Sequence, residues 1–406
     1  MWLMPSKLVL LLSLWPSLLP ALSWNAASQS HAADLQRETA ISLEQQGKTA
    51  EAEEAWKALS QQQPSNAEAF AHLGFLAARR EHYGEAVPLY RRALALQPAM
   101  PGLALNLGLS LFKSGQFKEA VQVFAPLLQE ASPESPEAKR LTTLIGLADY
   151  GQSAFAEAVP YLKKAAAYDS QNLAFRLALA QSCLGSKQYP CVLDVYHEIL
   201  LLNAESAEAD MLAGEAMDEM RDHAGAIEQF RAAVKADPKA PNAHFGLGYL
   251  LWTQMQYEEA AQSFQAELEH DPNHAQALAY LGDTNIRLNH PEAAQPVLAK
   301  AVQLDQNNEL AHLDLGILAA DAGKKDEALR QFQEATRLSP DDVSAHLHLG
   351  RLYKAMGRKD EAKLEFDKTS SLTKANHDSV FTKLENARAR GPQSDVTTPQ
   401  THAPEF

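Results

Sequence analysis

The chain has 406 residues, with 36 lysines and arginines against 51 acidic residues and a formal net charge of −15. Alanine occurs 69 times, while valine and isoleucine together occur only 19 times and aromatic residues make up 7%. Strands are built from β-branched and aromatic residues and alanine favours helix, so a sheet-rich fold is excluded and an all-α chain is predicted. The negative charge argues against nucleic acid and anionic lipid as main partners.

In chain order, residues 1–23 come first and stand apart. Lys7 precedes an apolar run from Leu8 to Leu22, broken by Pro16 and Pro20, and Ala21-Leu22-Ser23 supplies small residues behind it. This is the layout of a secretory signal peptide, cleaved near 23, with a second possible cut near 32 after Ser30-His31-Ala32. An uncleaved anchor is the rival reading, but a spanning helix needs about 20 apolar residues and this run is shorter. No other long apolar run follows, so the mature chain is expected to be exported, periplasmic or secreted, with no direct membrane insertion after cleavage.

From residue 33 onward a period of 34 governs the sequence. Pro64 and Pro98 keep that step, as do Gly74 and Gly108, and then Gly214, Gly248, Gly282, Gly316 and Gly350. Between the two stretches the frame slips by four, which Ser132-Pro133-Glu134-Ser135-Pro136 explains as a loop insertion. Ten units result, starting at 33, 67, 101, 139, 173, 207, 241, 275, 309 and 343. Each carries a small residue at its twentieth position (Ala52, Ala86, Ala120, Ala158, Val192, Ala226, Ala260, Ala294, Ala328, Ala362). Four residues later a large one follows (Trp56, Tyr90, Phe124, Leu162, Tyr196, Phe230, Phe264, Leu298, Phe332, Phe366). That spacing puts both on one helical face, the small residue allowing close approach and the large one expected to fill the gap between neighbouring units. Gly47, Gly115, Gly323 and Gly357 mark the turn inside a unit, and prolines such as Pro238, Pro272 and Pro340 end its second helix. Pro126, deep in its helix, predicts a kink or shortening and a local irregularity over 124–138. After 376, residues 377–390 are expected to form a capping helix and residues 391–406 a disordered tail.

The clearest unit runs Asn242-Ala243-His244-Phe245-Gly246-Leu247-Gly248-Tyr249, then Tyr257-Glu258-Glu259-Ala260, Phe264 and Pro272. It resembles the tetratricopeptide repeat family, and the resemblance covers residues 33–376. Ala40 and Ala180 replace the usual glycine in units 1 and 5, and unit 10 lacks the closing proline. The resemblance implies a right-handed α-solenoid of about ten helix-turn-helix units, with first helices lining a concave groove. Family groove positions fall here on Leu105, Leu109, Phe112, Leu144, Leu147, Tyr150, Leu177 and Leu184 in units 3 to 5. Unit 6 contributes Met211, Leu212, Glu215, Asp218 and Glu219, unit 7 Phe245, Tyr249 and Trp252, unit 8 Tyr280 and Asp283, and unit 10 His348 and Arg351. Apolar surface of this kind marks a partner site, although packing between neighbouring helices is the competing explanation. Of cations in units 3 to 7 only Lys113 and Arg140 are placed to grip a terminal carboxylate, so a partner with apolar anchors and some basic residues is expected instead.

Signals for other chemistry are weak. His244, His312 and His346 share one unit position, as packing residues would. His270, Asp271 and His274 offer too few fixed ligands for zinc. His197-Glu198 begins like a zinc-protease motif, but Leu201 stands where its second histidine belongs. No metal, cofactor or catalytic residue is predicted. Cys183 and Cys191 flank the turn of unit 5 and can pair in an oxidising compartment; two small buried thiols is the other reading. The sequence therefore predicts a non-enzymatic interaction scaffold or adaptor binding a protein or peptide in its groove. The alternative is a structural subunit of an envelope secretion, assembly or exopolysaccharide export complex.

Overall fold

A computed structural model describes the backbone of residues 20–203 and 205–389, with side chains for 32–203 and 205–375. Most of the predicted leader, and the tail 391–406, lie outside the described residues. Among those described there are twenty helices and no strand, arranged as consecutive pairs. The pairs are α1 (Pro20–Gln45) with α2 (Thr49–Gln62), α3 (Ala67–Arg79) with α4 (Tyr83–Leu96), and α5 (Leu103–Lys113) with α6 (Phe117–Glu130). Next come α7 (Pro136–Gly151) with α8 (Phe155–Tyr168), α9 (Leu173–Gly185) with α10 (Tyr189–Leu202), and α11 (Ala207–Glu219) with α12 (His223–Ala236). The last four are α13 (Ala243–Thr253) with α14 (Tyr257–His270), α15 (Ala275–Arg287) with α16 (Pro291–Leu304), α17 (Glu309–Asp321) with α18 (Lys325–Leu338), and α19 (Val343–Ala355) with α20 (Lys359–Ala389). The chain divides into two compact lobes, residues 1–195 and 196–406.

Each pair is punctuated by local chemistry. Asn66, Ser135, Asn172, Ser206 and Asn308 cap first helices, their side chains accepting from the backbone N–H three residues on. The corner between the helices of a pair uses one residue in the left-handed region. It is Gly47, Gly115, Gly323 and Gly357 in four units but Glu81, Ser153, Lys187, Arg221, Met255 and Asn289 in the other six. At α13 the Gln256 N–H donates to the Leu251 carbonyl and the Met255 N–H to the Trp252 carbonyl, closing the helix with a left-handed cap.

Packing inside a unit follows from glycine. A β-carbon added at Gly248 would lie 2.7 Å from the Phe264 ring, and one at Gly316 2.5 Å from Phe332. The large residue thus seats first on the glycine of its own unit, not in the gap between units as the spacing suggested. Phe230 does both, covering Gly214 and reaching Gly246 of the next unit. Trp56, Tyr90, Phe124, Phe264 and Phe332 are fully buried by this arrangement, as are the alanines four residues before them.

Three expectations change. Of the four extra residues before unit 4, one lengthens the connector, 131–135 against 63–66, and three are wound into helix. Ser135 caps and Pro136 opens α7, whose 16 residues carry about one more turn than the 13 of α3. Pro126 does not shorten α6, which keeps the 14 residues of α4; its ring is exposed, so water can satisfy the carbonyl left unpaired. The capping helix expected at 377–390 is no separate element but the continuation of α20. Unit 10 has Lys374 where units 1, 2, 6, 7 and 9 have proline, and α20 runs on through it.

Cys183 on α9 and Cys191 on α10 form a disulfide, their α-carbons 5.8 Å apart.

Candidate functional site

In the first lobe the predicted groove residues Leu109, Phe112, Leu147 and Tyr150 are half-buried. Phe112 meets Phe117 edge-on at 5.5 Å and Tyr150 meets Phe155 at 6.2 Å, so each aromatic ring leans on the opening residue of its own second helix. A concavity of about 280 Å³ lies further toward the N-terminus, lined by Glu44, Ala71, His72, Phe75, Met100, Pro101, Leu103 and Asn106. Glu44 accepts there from His72 Nδ1 at 2.8 Å and from the Trp56 indole, and the Trp56 and His72 rings stack with centroids 4.3 Å apart. His72, Phe75 and Asn106 occupy groove positions of units 2 and 3, where a histidine and an asparagine interrupt the apolar pattern.

The second lobe gathers the predicted aromatic residues. Tyr249 and Trp252 on α13 and Tyr280 on α15 contact one another pairwise, with centroids 6.3, 5.5 and 5.2 Å apart. Phe245 joins them at 6.0 Å from Tyr280. Tyr249 is 37% exposed, whereas Trp252, Tyr280, Phe245 and Met211 are half-buried. Leu212 belongs to the core. Burial pushes the Tyr280 phenol up to about 12. The acidic residues of α11 border this patch in sequence frame. Glu215 is open to solvent yet crowded by protein, and that partial desolvation raises its carboxyl above the ordinary value. Asp218 pairs with His223 Nδ1 at 2.7 Å, and Glu219 is exposed.

Asp283, expected as an open groove position, is instead 4% exposed. It accepts from Trp252 Nε1 at 2.6 Å and from Arg287 Nε at 3.1 Å. The reason is close packing of α15 on α17 as well as on α16, which covers the face where Asp283 stands. Arg287 also lies 5.9 Å from the centroids of both Trp252 and Tyr257. Arg287 and Asp314 went unnamed in the sequence although they share the groove frame. Farther on, His348 stacks on Phe332 at 5.6 Å, and burial followed by the Arg351 charge lowers its pKa.

Three further histidines are held by protein partners. His312 contacts Gln331 Oε1 and the Gln306 carbonyl; His346 contacts Glu365 Oε2 and the Pro340 carbonyl. His274 caps α15, its Nδ1 accepting from the Ala277 N–H, and its ring lies tilted against Phe245 with centroids 4.8 Å apart. Among the described residues no three His, Cys, Asp or Glu side chains converge as a metal site, and no helix is long and apolar enough to cross a membrane.

Comparison with known proteins accords with this architecture. Tetratricopeptide repeat models match residues 37–101, 77–145, 193–241, 211–269, 245–309 and 343–376, and a further model of the repeat matches 319–357. The Protein CTR9 homolog of Arabidopsis thaliana is 24% identical over 68% of this chain and 26% of its own length. The BBSome complex member BBS4 of Bos taurus is 24% identical over 56% of this chain and 43% of its own. The chain therefore spans less than half the length of these two relatives. Among solved structures, YrrB, described as a TPR protein with an unusual peptide-binding site, is 24% identical over 46% of this chain and 97% of its own, with a TM-score of 0.37. The APC/C hetero-tetramer Cut9–Hcn1 is 14% identical over 85% of this chain and 75% of its own, with a TM-score of 0.43. With the repeat models spread from residue 37 to residue 376 and every described helix paired in the same way, the chain belongs to the tetratricopeptide repeat family.

Proposed function

We propose that this protein is a non-enzymatic interaction scaffold that holds a protein or peptide segment against the aromatic patch of its second lobe. One observation carries the reading: Phe245, Tyr249, Trp252 and Tyr280 converge, and Tyr249 presents its ring to solvent at 37% exposure on a helix face whose other large residues are covered. Such rings give large contact area for little lost side-chain freedom, which is why they dominate binding surfaces. Glu215 and Asp218 beside them favour a partner with basic residues next to its apolar anchors.

Replacing Tyr249 by a photoreactive phenylalanine analogue tests this in cells. Irradiation should give a discrete protein adduct that the same analogue at Leu364, 68% exposed on α20, does not give. Equal or absent adducts at the two positions would remove the assignment.

We also infer export to the periplasm or the outside. The apolar run behind Lys7 and the Cys183–Cys191 bond support it, since structural disulfides persist in oxidising compartments. N-terminal sequencing of the purified native protein should begin at Trp24 or Ala33; a chain beginning at Met1 in the cytosol would sink the idea.

A further inference from the structure

The first lobe holds a concavity that the reading above leaves unused. It lies where a helix begins late: α5 starts at Leu103, behind Pro101 and the left-handed Gly102, two residues later in its unit than α3 does in its own. About 280 Å³ stays open there, bounded by Met100, Leu103 and the ring of Phe75, which is 42% exposed. The rest of the wall is polar and held fixed. Trp56, fully buried, stacks on His72 with centroids 4.3 Å apart, and Glu44 Oε1 accepts from both the Trp56 indole and His72 Nδ1. An ionised carboxylate only accepts, so His72 carries its proton on Nδ1, and in the neutral ring Nε2 is a bare acceptor. Glu44 Oε2 and His72 Nε2 have no hydrogen-bond partner among the described residues, and neither is sealed from solvent. Arg79 stands 5.8 Å from the Phe75 centroid, so its charge offsets that of Glu44.

We propose that this concavity is a second binding site, in a lobe of its own, for a tyrosine or tryptophan side chain of a partner protein segment, whose ring donor bonds His72 Nε2. Phe75, Met100 and Leu103 offer apolar contact to a ring, and methionine adapts to its outline. The two free inner atoms are acceptors, which calls for a donor on the entering group. Tyrosine and tryptophan join an uncharged aromatic body to an O–H or N–H. Phenylalanine brings no donor, a carboxylate meets Glu44 as a like charge, and a lysine or arginine meets Arg79 beside Phe75. Because Glu44, His72 and Trp56 already hold one another, little ordering is needed on binding. In the second lobe the protein supplies the rings and the negative charge; here it supplies a slot and its acceptors. The two sites therefore take different segments, and a chain with both bridges them.

The test uses a random dodecapeptide library panned against the full chain, with the Phe75→Ala chain as counter-selection. Recovered peptides should share a tyrosine or tryptophan and should bind the Tyr249→Ala chain as well as the parent. Changing the tyrosine to phenylalanine, or the tryptophan to benzothienylalanine, keeps the ring and removes its donor; binding should weaken about tenfold. His72→Phe, which keeps a ring against Trp56, should weaken the tyrosine peptide by a similar factor and leave its phenylalanine counterpart unchanged. The peptide-side change needs no altered protein, so it decides the matter even if the His72 variant misfolds. Peptides that need Phe75 but tolerate loss of the ring donor, or that need a charged residue in its place, would overturn the site. So would recovery of no peptide that depends on Phe75, or loss of the same peptides with Tyr249→Ala. None of these outcomes removes the second-lobe patch, which the adduct at Tyr249 tests by itself.

Discussion

A carboxyl group buried without its full set of partners weakens the fold that contains it, and Asp314 is such a group. Its folded pKa lies above that of the unfolded chain. As pH rises through the ordinary carboxylate range, near 4, the unfolded chain gives up its proton first, so stability falls until Asp314 itself ionises. Asparagine at 314 removes that loss. The variant should therefore gain on the parent as pH increases, by on the order of 1 kcal/mol at pH 8 and by less at pH 4. Thermal melts at the two pH values read this directly; a shift of the same size at both would exclude ionisation as the cause. The depth of Asp283 and Asp314 was not legible beforehand. Both fall at groove positions of the frame, and the frame gives the direction of a side chain but not how far the next first helix leans over it. Tyr249 and Tyr280 of the same frame meet with ring centroids 5.5 Å apart, because a large ring reaches past its neighbours where a carboxyl does not.

At the scale of the helix pair, the ten corners share one backbone conformation on seven residue types, glycine in four of them. Glycine reads as a turn in the sequence, so Gly47, Gly115, Gly323 and Gly357 were visible. Glu81, Ser153, Lys187, Arg221, Met255 and Asn289 were not, since the hydrogen bonds that force the corner are made by the backbone. A side chain in the left-handed region costs about 1–2 kcal/mol, part of which glycine returns through a floppier unfolded chain. Met255→Gly should thus stabilise by about 0.5–1 kcal/mol, and Asn289→Gly by less, because asparagine tolerates the region. Chemical denaturation of the two variants decides it; equal effects would mean that the corner is relaxed by its surroundings. The extra turn of α7 has a similar lesson. Ser135-Pro136-Glu137 is a helix start by its chemistry, yet proline and serine together also read as loop.

Across the whole chain, the step of 34 residues and the alanine excess come from one requirement. Alanine sits at the twentieth position in nine of the ten units, where the two helices of a pair must approach, and the position is fully buried at Ala52, Ala86, Ala120, Ala158, Ala226, Ala260, Ala294 and Ala328. The net charge falls almost wholly on the second lobe, with 16 basic against 17 acidic residues in 1–195 and 20 against 34 in 196–406, while cross-unit pairs such as Arg91–Glu119 and Arg231–Glu259 are exposed, where salt screens them. Fold class was legible because a repeated constraint leaves a repeated mark. Partner chemistry was only partly so, since it depends on single residues that occur once, as Trp252 and His72 do.

The seating of the large side chain on the glycine of its own unit, in the eight units that have one, makes the unit a grammatical word of this chain. Words can be dropped or doubled whole, but not cut in the middle. Excising residues 309–342 removes Gly316 together with Phe332 and should leave a protein that melts cooperatively with proportionally less helical signal. Excising residues 309–325 alone removes the glycine and leaves the phenylalanine without its seat, and that chain should melt broadly or fail to fold. Variation in the length of related chains is then expected to come in steps of 34, with odd lengths confined to places such as the start of α7 where the surplus can be wound into a helix.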